Sequence, residues 1–90
     1  MAVLMIGEMP NLTEETYVRM VGQTMPLLRA FKGFFSHAAG PSPTGGWRIV
    51  EAWASEEDCE KGFDQIVKPN LPPDIVSNRT YHPLHTAFTK

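Results

Sequence analysis

A histidine and a glutamate on two neighbouring predicted strands are the residues whose types and spacing best fit acid–base chemistry. Glu51 shares its strand face with Trp47, Ile49 and Trp53 if side chains alternate, and burial disfavours the charged form of an acid that has no partner. If the turn between the strands places His37 opposite Glu51, the two form a dyad that can take a proton from a phenol or an activated carbon acid. A register that differs by one residue puts them on opposite faces of the sheet.

The same two residues also have a purely structural interpretation. A buried histidine and a buried glutamate can satisfy each other's hydrogen-bonding needs without any catalytic role, because perturbed ion pairs are often architectural.

Tyr81 also has both a functional and a structural interpretation. It could donate a hydrogen bond to a developing oxyanion, or it could simply lie at the rim of a pocket.

Aromatic side chains along the chain could line a pocket for a flat hydrophobic or aromatic ligand. Such residues are also common in an ordinary core, and the sequence leaves both readings open. The candidates for substrate binding are Phe35, Trp47, Trp53, Phe63 and Tyr81.

No metal site is predicted. His82 and His85 face opposite ways on the last predicted strand if alternation holds, although Pro83 could break that alternation. No spacing of histidine, cysteine and carboxylate resembles a zinc site. The single cysteine, Cys59, lies on the apolar stripe of the second predicted helix, where we expect a packed thiol rather than a nucleophile.

These residues must be positioned by six elements that the patterning predicts. Thr13 and Ser55 are suitable N-caps for two amphipathic helices, and Pro26 should kink or end the first helix near Met25. Pro83 suggests that the last strand lies at a sheet edge or contains a bulge. The predicted strands cover Ala2 to Glu8, Phe34 to Ala39, Trp47 to Trp53 and Thr80 to Phe88.

The order of these elements is β-α-β-β-α-β, which predicts an α+β ferredoxin-like fold with an antiparallel sheet and two helices. Ninety residues form a single domain, residues 1–90. Two helices cover one face of the sheet, while the other face also carries apolar residues. We therefore expect a second copy of the chain to cover that face in a homodimer.

Three segments resemble the antibiotic biosynthesis monooxygenase-like family. They are GFFSHAAGP at residues 33–41, GWRIVEAW at 46–53 and SEE at 55–57, and Pro83-Leu84-His85 is similar to the family's last strand. The resemblance implies a dimeric α+β barrel and adds His85 as a third catalytic candidate. The sequence departs from the haem-degrading branch. Gly7 and Glu8 stand where that branch has an asparagine on the first strand. That branch also has a tryptophan and a histidine on or after the second helix, where this chain has Gly62 and no histidine before His82.

The resemblance implies an enzyme of the cofactor-independent monooxygenase type, acting on a hydrophobic phenolic or polyketide-like substrate, with no cofactor. The acid–base pair would be His37 and Glu51, with His85 or Tyr81 orienting the substrate. The same groups would suit a polyketide cyclase that uses no oxygen. A non-catalytic dimeric barrel that binds a metabolite is the alternative from another class, because this fold carries many functions.

Composition excludes several classes of partner. The net charge is -2 and the basic residues form no cluster, which argues against nucleic acid. No segment is apolar enough over sufficient length to span a membrane. The first residues lack the features of a secretory signal, and one cysteine cannot form an internal disulfide, so we expect a cytoplasmic protein.

Overall fold

The four strands form one antiparallel sheet whose order is β2-β3-β1-β4, in a computed structural model that describes residues 1–86. The predicted α+β ferredoxin-like order of elements is confirmed. Within residues 1–86, no helix is both long and apolar enough to cross a membrane. The elements are strand β1 (Val3–Met9), helix α1 (Glu14–Arg29), strand β2 (Phe34–Pro41), strand β3 (Trp47–Trp53), helix α2 (Glu56–Gly62), a π-helical turn (Phe63–Val67), a 3-10 turn (Lys68–Asn70) and strand β4 (Asn78–Pro83).

Side-chain caps begin both helices at the predicted residues. Oγ1 of Thr13 accepts a hydrogen bond from the backbone N–H of Thr16 at 3.2 Å, and Oγ of Ser55 accepts one from the N–H of Asp58 at 3.0 Å. Each cap satisfies a first-turn N–H that has no carbonyl partner inside the helix. Acidic residues follow both caps, where the helix dipole favours negative charge.

Helix α1 does not end at its proline, so of the two effects expected of Pro26, a kink or an end near Met25, the end is wrong. The helix continues through Pro26 to Arg29. Thr24 and Leu28, on either side of the proline, are 1% and 2% exposed. Their burial in the core holds the last turn in place, although Pro26 cannot donate a backbone hydrogen bond.

Strand β4 lies at the edge of the sheet, as Pro83 suggested, but it begins and ends earlier than expected. It pairs with β1 over Asn78–Pro83 and ends at the proline, whose nitrogen carries no hydrogen for the ladder. Just beyond it, the N–H of Leu84 donates to the carbonyl of Ala2 at 2.9 Å. Phe88, the predicted end of the strand, lies outside the described residues.

One extra residue in β2 sets the register of the central hairpin. Phe34 pairs with Trp53, and the pairing is then interrupted by a bulge before Ser36 pairs with Ala52. Beyond the bulge, His37 lies opposite Glu51. Because two residues of the bulged strand oppose one residue of its partner, every later side chain in β2 changes its partner by one position.

The two faces of the sheet are buried to different extents. Along β1 and β3, buried residues that contact the helices alternate with residues that are only partly buried. The partly buried residues form an open face, defined here by Leu4, Ile6, Val50 and Ala52. A face made of such apolar side chains is unusual for a sheet that borders water.

We predict that Gly62→Ala destabilises the fold by about 1–2 kcal/mol, since overpacking exceeds the gain in helix propensity. A Cβ atom at Gly62 would lie 2.6 Å from Cη2 of Trp53 and 3.5 Å from Cδ2 of Leu28. Urea unfolding measures the change. The matched control is Gly22→Ala, because a Cβ atom at Gly22 meets nothing within 4 Å. Equal stability of the two variants would contradict the prediction.

Candidate active site

His37 and Glu51 are hydrogen-bonded to each other on the helix-facing side of the sheet. Nδ1 of His37 lies 2.6 Å from Oε2 of Glu51, and the two side chains are 12% and 8% exposed. The contact follows directly from the hairpin register, in which the two residues are cross-strand partners. Of the two registers that the sequence leaves open, the structure has the one that brings His37 and Glu51 together.

The second carboxylate oxygen of Glu51 also accepts a hydrogen bond. The indole N–H of Trp53 donates to Oε1 of Glu51 at 2.9 Å, and Trp53 is almost wholly buried. With a donor on each oxygen, the carboxylate has its hydrogen-bonding needs met inside an apolar core and has a fixed orientation. Trp53 thus acts as a positioning residue as well as a core residue.

Tyr17 of helix α1 completes a hydrogen-bonded chain of four side chains. Its hydroxyl oxygen lies 2.6 Å from Nε2 of His37. Since indole can only donate and carboxylate can only accept, the proton between His37 and Glu51 belongs on Nδ1. In neutral imidazole, Nε2 is then an acceptor, and the hydroxyl of Tyr17 donates to it.

Tyr17 is a site residue that sequence reasoning missed. Its spacing with Met20 and Leu28 is that of a core-facing residue on an amphipathic helix, and it does pack against the core. The contact with His37 depends on how the helix lies across the hairpin, which periodicity does not specify. The signal available was a hydroxyl on an otherwise apolar stripe, because a buried tyrosine usually finds a hydrogen-bond partner.

The Tyr17 ring is held between two other rings. It stacks on His37 with an interplanar angle of 8°, and its centroid lies 5.3 Å from that of Trp47. Burial raises the pKa of Tyr17, and the negative charge of Glu51 raises it further. Tyr17 therefore remains a neutral phenol that donates to His37.

A cavity of ≈ 30 Å³ lies beside the dyad, between the sheet and the helices. Roughly 10–15 Å³ holds one water molecule, so the cavity has room for one or two very small molecules but not for an aromatic ring. Its lining residues are Met5, Gly7, Met9, Met20, Thr24, Leu28, His37, Ile49, Glu51, Trp53, Cys59, Phe63, Val67, Ser77 and Arg79.

Four predicted site residues thus line the cavity: His37, Glu51, Trp53 and Phe63. Their convergence is what the sequence analysis anticipated for the dyad. It supports no catalytic step by itself, since an apolar core with a satisfied polar pair has the same contacts.

Four other predicted site residues do not line the cavity, which corrects their expected position. Phe35 is displaced by the bulge and is 59% exposed, so it does not share the dyad's surroundings. His85 is exposed beyond the end of β4, and its Nδ1 lies 2.6 Å from the Thr86 hydroxyl. Trp47 instead packs on Tyr17. Tyr81 lies on edge strand β4, two strands from Glu51.

An open groove of ≈ 480 Å³ adjoins the cavity on the side away from His37. Phe63, Ser77 and Arg79 line both spaces. The guanidinium carbon of Arg79 lies 3.7 Å from the centroid of the Phe63 ring, and two of its nitrogens each lie 3.1 Å from Glu60 oxygens. This cation–π contact separates the groove from the cavity.

Cys59 is a packed thiol, as expected. It is 2% exposed, and burial, followed by the charge of Glu51, raises the pKa of the thiol to about 12. A thiol of this kind is a poor nucleophile because the thiolate is the reactive form. Across residues 1–86, no three histidine, cysteine or acidic side chains are grouped as metal ligands would be.

No protein-family model matches the chain, and no curated protein sequence is detectably similar to it. Solved structures do share its fold. SnoaB from Streptomyces nogalater, a cofactor-independent oxygenase, superposes with a TM-score of 0.72 at 9% identity, over 99% of this chain and 98% of that one. A proposed monooxygenase from Shewanella loihica PV-4 superposes with a TM-score of 0.68 at 15% identity, over 96% of each chain.

A structure from Mycobacterium tuberculosis is a more distant match, with a TM-score of 0.51 at 19% identity over 97% of this chain and 98% of that one. The superpositions on SnoaB and the Shewanella protein confirm the fold that the sequence resemblance implied. Identities this low say nothing about which side chains do chemistry.

We predict that Tyr17 ionises at a higher pH than an ordinary tyrosine. The chain has two tyrosines, so absorbance titration of Tyr17→Phe against the parent protein isolates the Tyr17 phenol. A raised pKa means that the folded state holds the proton more tightly. The stability that this contributes to the folded state is fully present at a pH below the ordinary pKa of tyrosine. It is lost as the pH rises through the pKa of Tyr17 in the folded protein. Ionisation of Tyr17 at or below the ordinary value would contradict the assigned hydrogen bond.

Proposed function

We propose that the protein is a cofactor-independent small-molecule enzyme of the monooxygenase type, acting on a hydrophobic phenolic substrate. The observation that carries this proposal is the 2.6 Å contact between the Tyr17 hydroxyl and Nε2 of His37. Tyr17 is itself a phenol, and it donates to a histidine whose other nitrogen bonds a buried carboxylate. A substrate phenol in the same place would meet a base that is already oriented.

The dyad can take the substrate proton in one step. A phenol that replaces the Tyr17 hydroxyl at Nε2 transfers its proton to that nitrogen, and His37 becomes an imidazolium. Glu51 stabilises the new positive charge through its contact with Nδ1, as the carboxylate of a catalytic triad does. The low exposure of both side chains makes this interaction stronger than it would be in water.

The substrate ring would lie where the Tyr17 ring now lies. That space is bordered by Trp47, whose centroid is 5.3 Å from the Tyr17 centroid, and by the His37 ring. Tyr17 is only partly buried, so a rotation of its side chain could open the position from the surface. The small cavity behind His37 is not required to hold the ring.

A phenolate is electron-rich enough to react with dioxygen without a cofactor. Insertion of one oxygen atom at a ring carbon, with loss of two hydrogens, converts a phenol and one dioxygen into a quinone and one water. The fold shared with SnoaB, a cofactor-independent oxygenase, supports this reaction over a cyclisation, which would consume no oxygen. Polyketide-like phenols are the substrate class that the resemblance favours.

We predict that Glu51→Gln lowers kcat for oxygen uptake by about 10²–10⁴-fold. A glutamine that accepts from Trp53 must turn its amide N–H toward Nδ1 of His37. The imidazole proton then moves to Nε2, which can no longer accept the substrate proton. The assay is oxygen-electrode turnover across a panel of naphthols, anthrones and related phenols.

Tyr17→Phe is the matched control for this assay. It deletes the hydroxyl that occupies Nε2 but keeps the dyad, so we expect it to retain or increase kcat/KM. A Tyr17→Phe variant as inactive as Glu51→Gln would mean that Tyr17 itself transfers the proton. Turnover of a phenol without oxygen uptake would support a cyclase instead, and unchanged ligand binding without any turnover would support a metabolite-binding protein.

We also propose that two copies of the chain pair through the open face of the sheet. Leu4, Ile6, Val50 and Ala52 leave this face apolar and incompletely buried, and a two-fold axis would cover it with the same face of the partner.

Light scattering at micromolar concentration tests the pairing. We expect a dimer for the parent protein and a folded monomer for Val50→Asp, because Val50 lies between Ile6 and Ala38 at the centre of the open face. The matched control is Val18→Asp on helix α1, where the side chain is 61% exposed and the dimer should persist. A monomeric parent protein would refute the proposed interface.

A further inference from the structure

We propose that the cavity beside the dyad is a preformed binding site for dioxygen. Its use in catalysis rests on the proposed function, but its occupancy by a small apolar molecule does not.

A glycine at the centre of the sheet forms part of the cavity wall. Gly7 of β1 lies between Ile49 of β3 and Arg79 of β4 in one cross-strand row. The neighbouring row runs from His37 through Glu51. The cavity therefore borders Gly7 at a position two residues along the strands from the dyad, on the same face of the sheet.

The surroundings of this cavity favour an apolar guest over water. Met5, Met9, Met20, Ile49 and Leu28 supply most of the wall. A buried water molecule needs two to four polar partners, whereas a cavity with apolar walls stays dry and accepts apolar atoms such as xenon.

Most polar groups that reach the cavity already have partners. Both nitrogens of His37 and both oxygens of Glu51 are engaged in the chain from Tyr17 to Trp53. Arg79 donates to Glu60 and to the Ser77 hydroxyl. Thr24 supplies the one further hydroxyl in the lining. A water molecule would therefore find few free donors or acceptors, while dioxygen requires none.

The position suits the step that follows deprotonation. When His37 has taken the substrate proton, the phenolate can pass one electron to dioxygen, which gives a phenoxyl radical and superoxide. The imidazolium of His37 borders the cavity and would stabilise the superoxide charge. The two radicals then join in a C–O bond, and the proton on His37 passes to the terminal oxygen of the peroxide.

The groove on the far side of Phe63 gives a route for the gas. Phe63 and Arg79 line both spaces, so a rotation of the Phe63 ring connects them. Dioxygen would enter from this side, and the phenol would reach His37 from the Tyr17 side. Two separate entrances allow both reactants to be present together.

Xenon is the probe for this site, because it is apolar and similar in size to dioxygen. We expect crystals of the parent protein under xenon pressure to show one atom among Gly7, Ile49 and Met5. The result needs no turnover and no substrate, so it distinguishes this site from the proposed function. An ordered water molecule in the cavity, or no xenon, would overturn the proposal even if the enzyme consumes oxygen.

Gly7→Ala is the variant that fills the site. A Cβ atom at Gly7 would lie 3.3 Å from Sδ of Met5 and 3.8 Å from Cγ of Arg79, contacts that flexible side chains can relieve. We expect loss of xenon and a rise of about tenfold in the KM for dioxygen, with the KM for the phenol unchanged. Gly22→Ala, which meets nothing within 4 Å, should change neither. Xenon bound equally in Gly7→Ala, or an unchanged KM for dioxygen, would refute the site.

Discussion

The burial of Glu51 is the constraint on which the site depends. A carboxylate in an apolar core is costly unless each oxygen has a hydrogen-bond donor, and here the donors come from two residues of the same hairpin. Trp53 lies two residues beyond Glu51 on strand β3, and His37 lies directly opposite Glu51 on strand β2. These donors fix the tautomer of His37, and the tautomer decides that Nε2 faces Tyr17 as an acceptor. One buried charge thus orders four side chains from three elements.

The bulge at Phe35 is what lets this network form. In an uninterrupted pairing that begins with Phe34 opposite Trp53, Ser36 would face Glu51 and His37 would point to the open side of the sheet. The extra residue restores His37 to the helix side. Its cost is local, because Phe35 is left largely exposed. Bulges commonly redirect a side chain next to a functional site, and this one is consistent with that pattern.

Much of the fold follows from local sequence signals, and most of the site does not. The bounds of β3, the caps at Thr13 and Ser55 and the edge position of β4 all depend on residues within one element. The continuation of α1 past Pro26 depends on tertiary burial of its last turn, which overrides a local rule. The register of the hairpin and the Tyr17 contact both depend on how elements meet. The sequence could therefore state the register only as two alternatives, and it did not predict the contact of Tyr17. Patterning placed His85 on the last predicted strand and the resemblance made it a catalytic candidate, but β4 ends before that residue.

The cavity beside Gly7 is a feature that the hydrogen-bonded chain from Tyr17 to Trp53 does not itself require. A cavity of ≈ 30 Å³ costs roughly 0.7 kcal/mol at about 24 cal/mol per Å³, and an alanine at Gly7 would recover part of that without a strained backbone. A core selected for stability alone would have little reason to keep the cavity beside a base. The dyad by itself is explained equally well by architecture, since its hydrogen bonds are complete. An apolar cavity next to that dyad adds nothing to the hydrogen bonding of the pair. It is the feature that the proposed reaction with a small apolar molecule, dioxygen, would require.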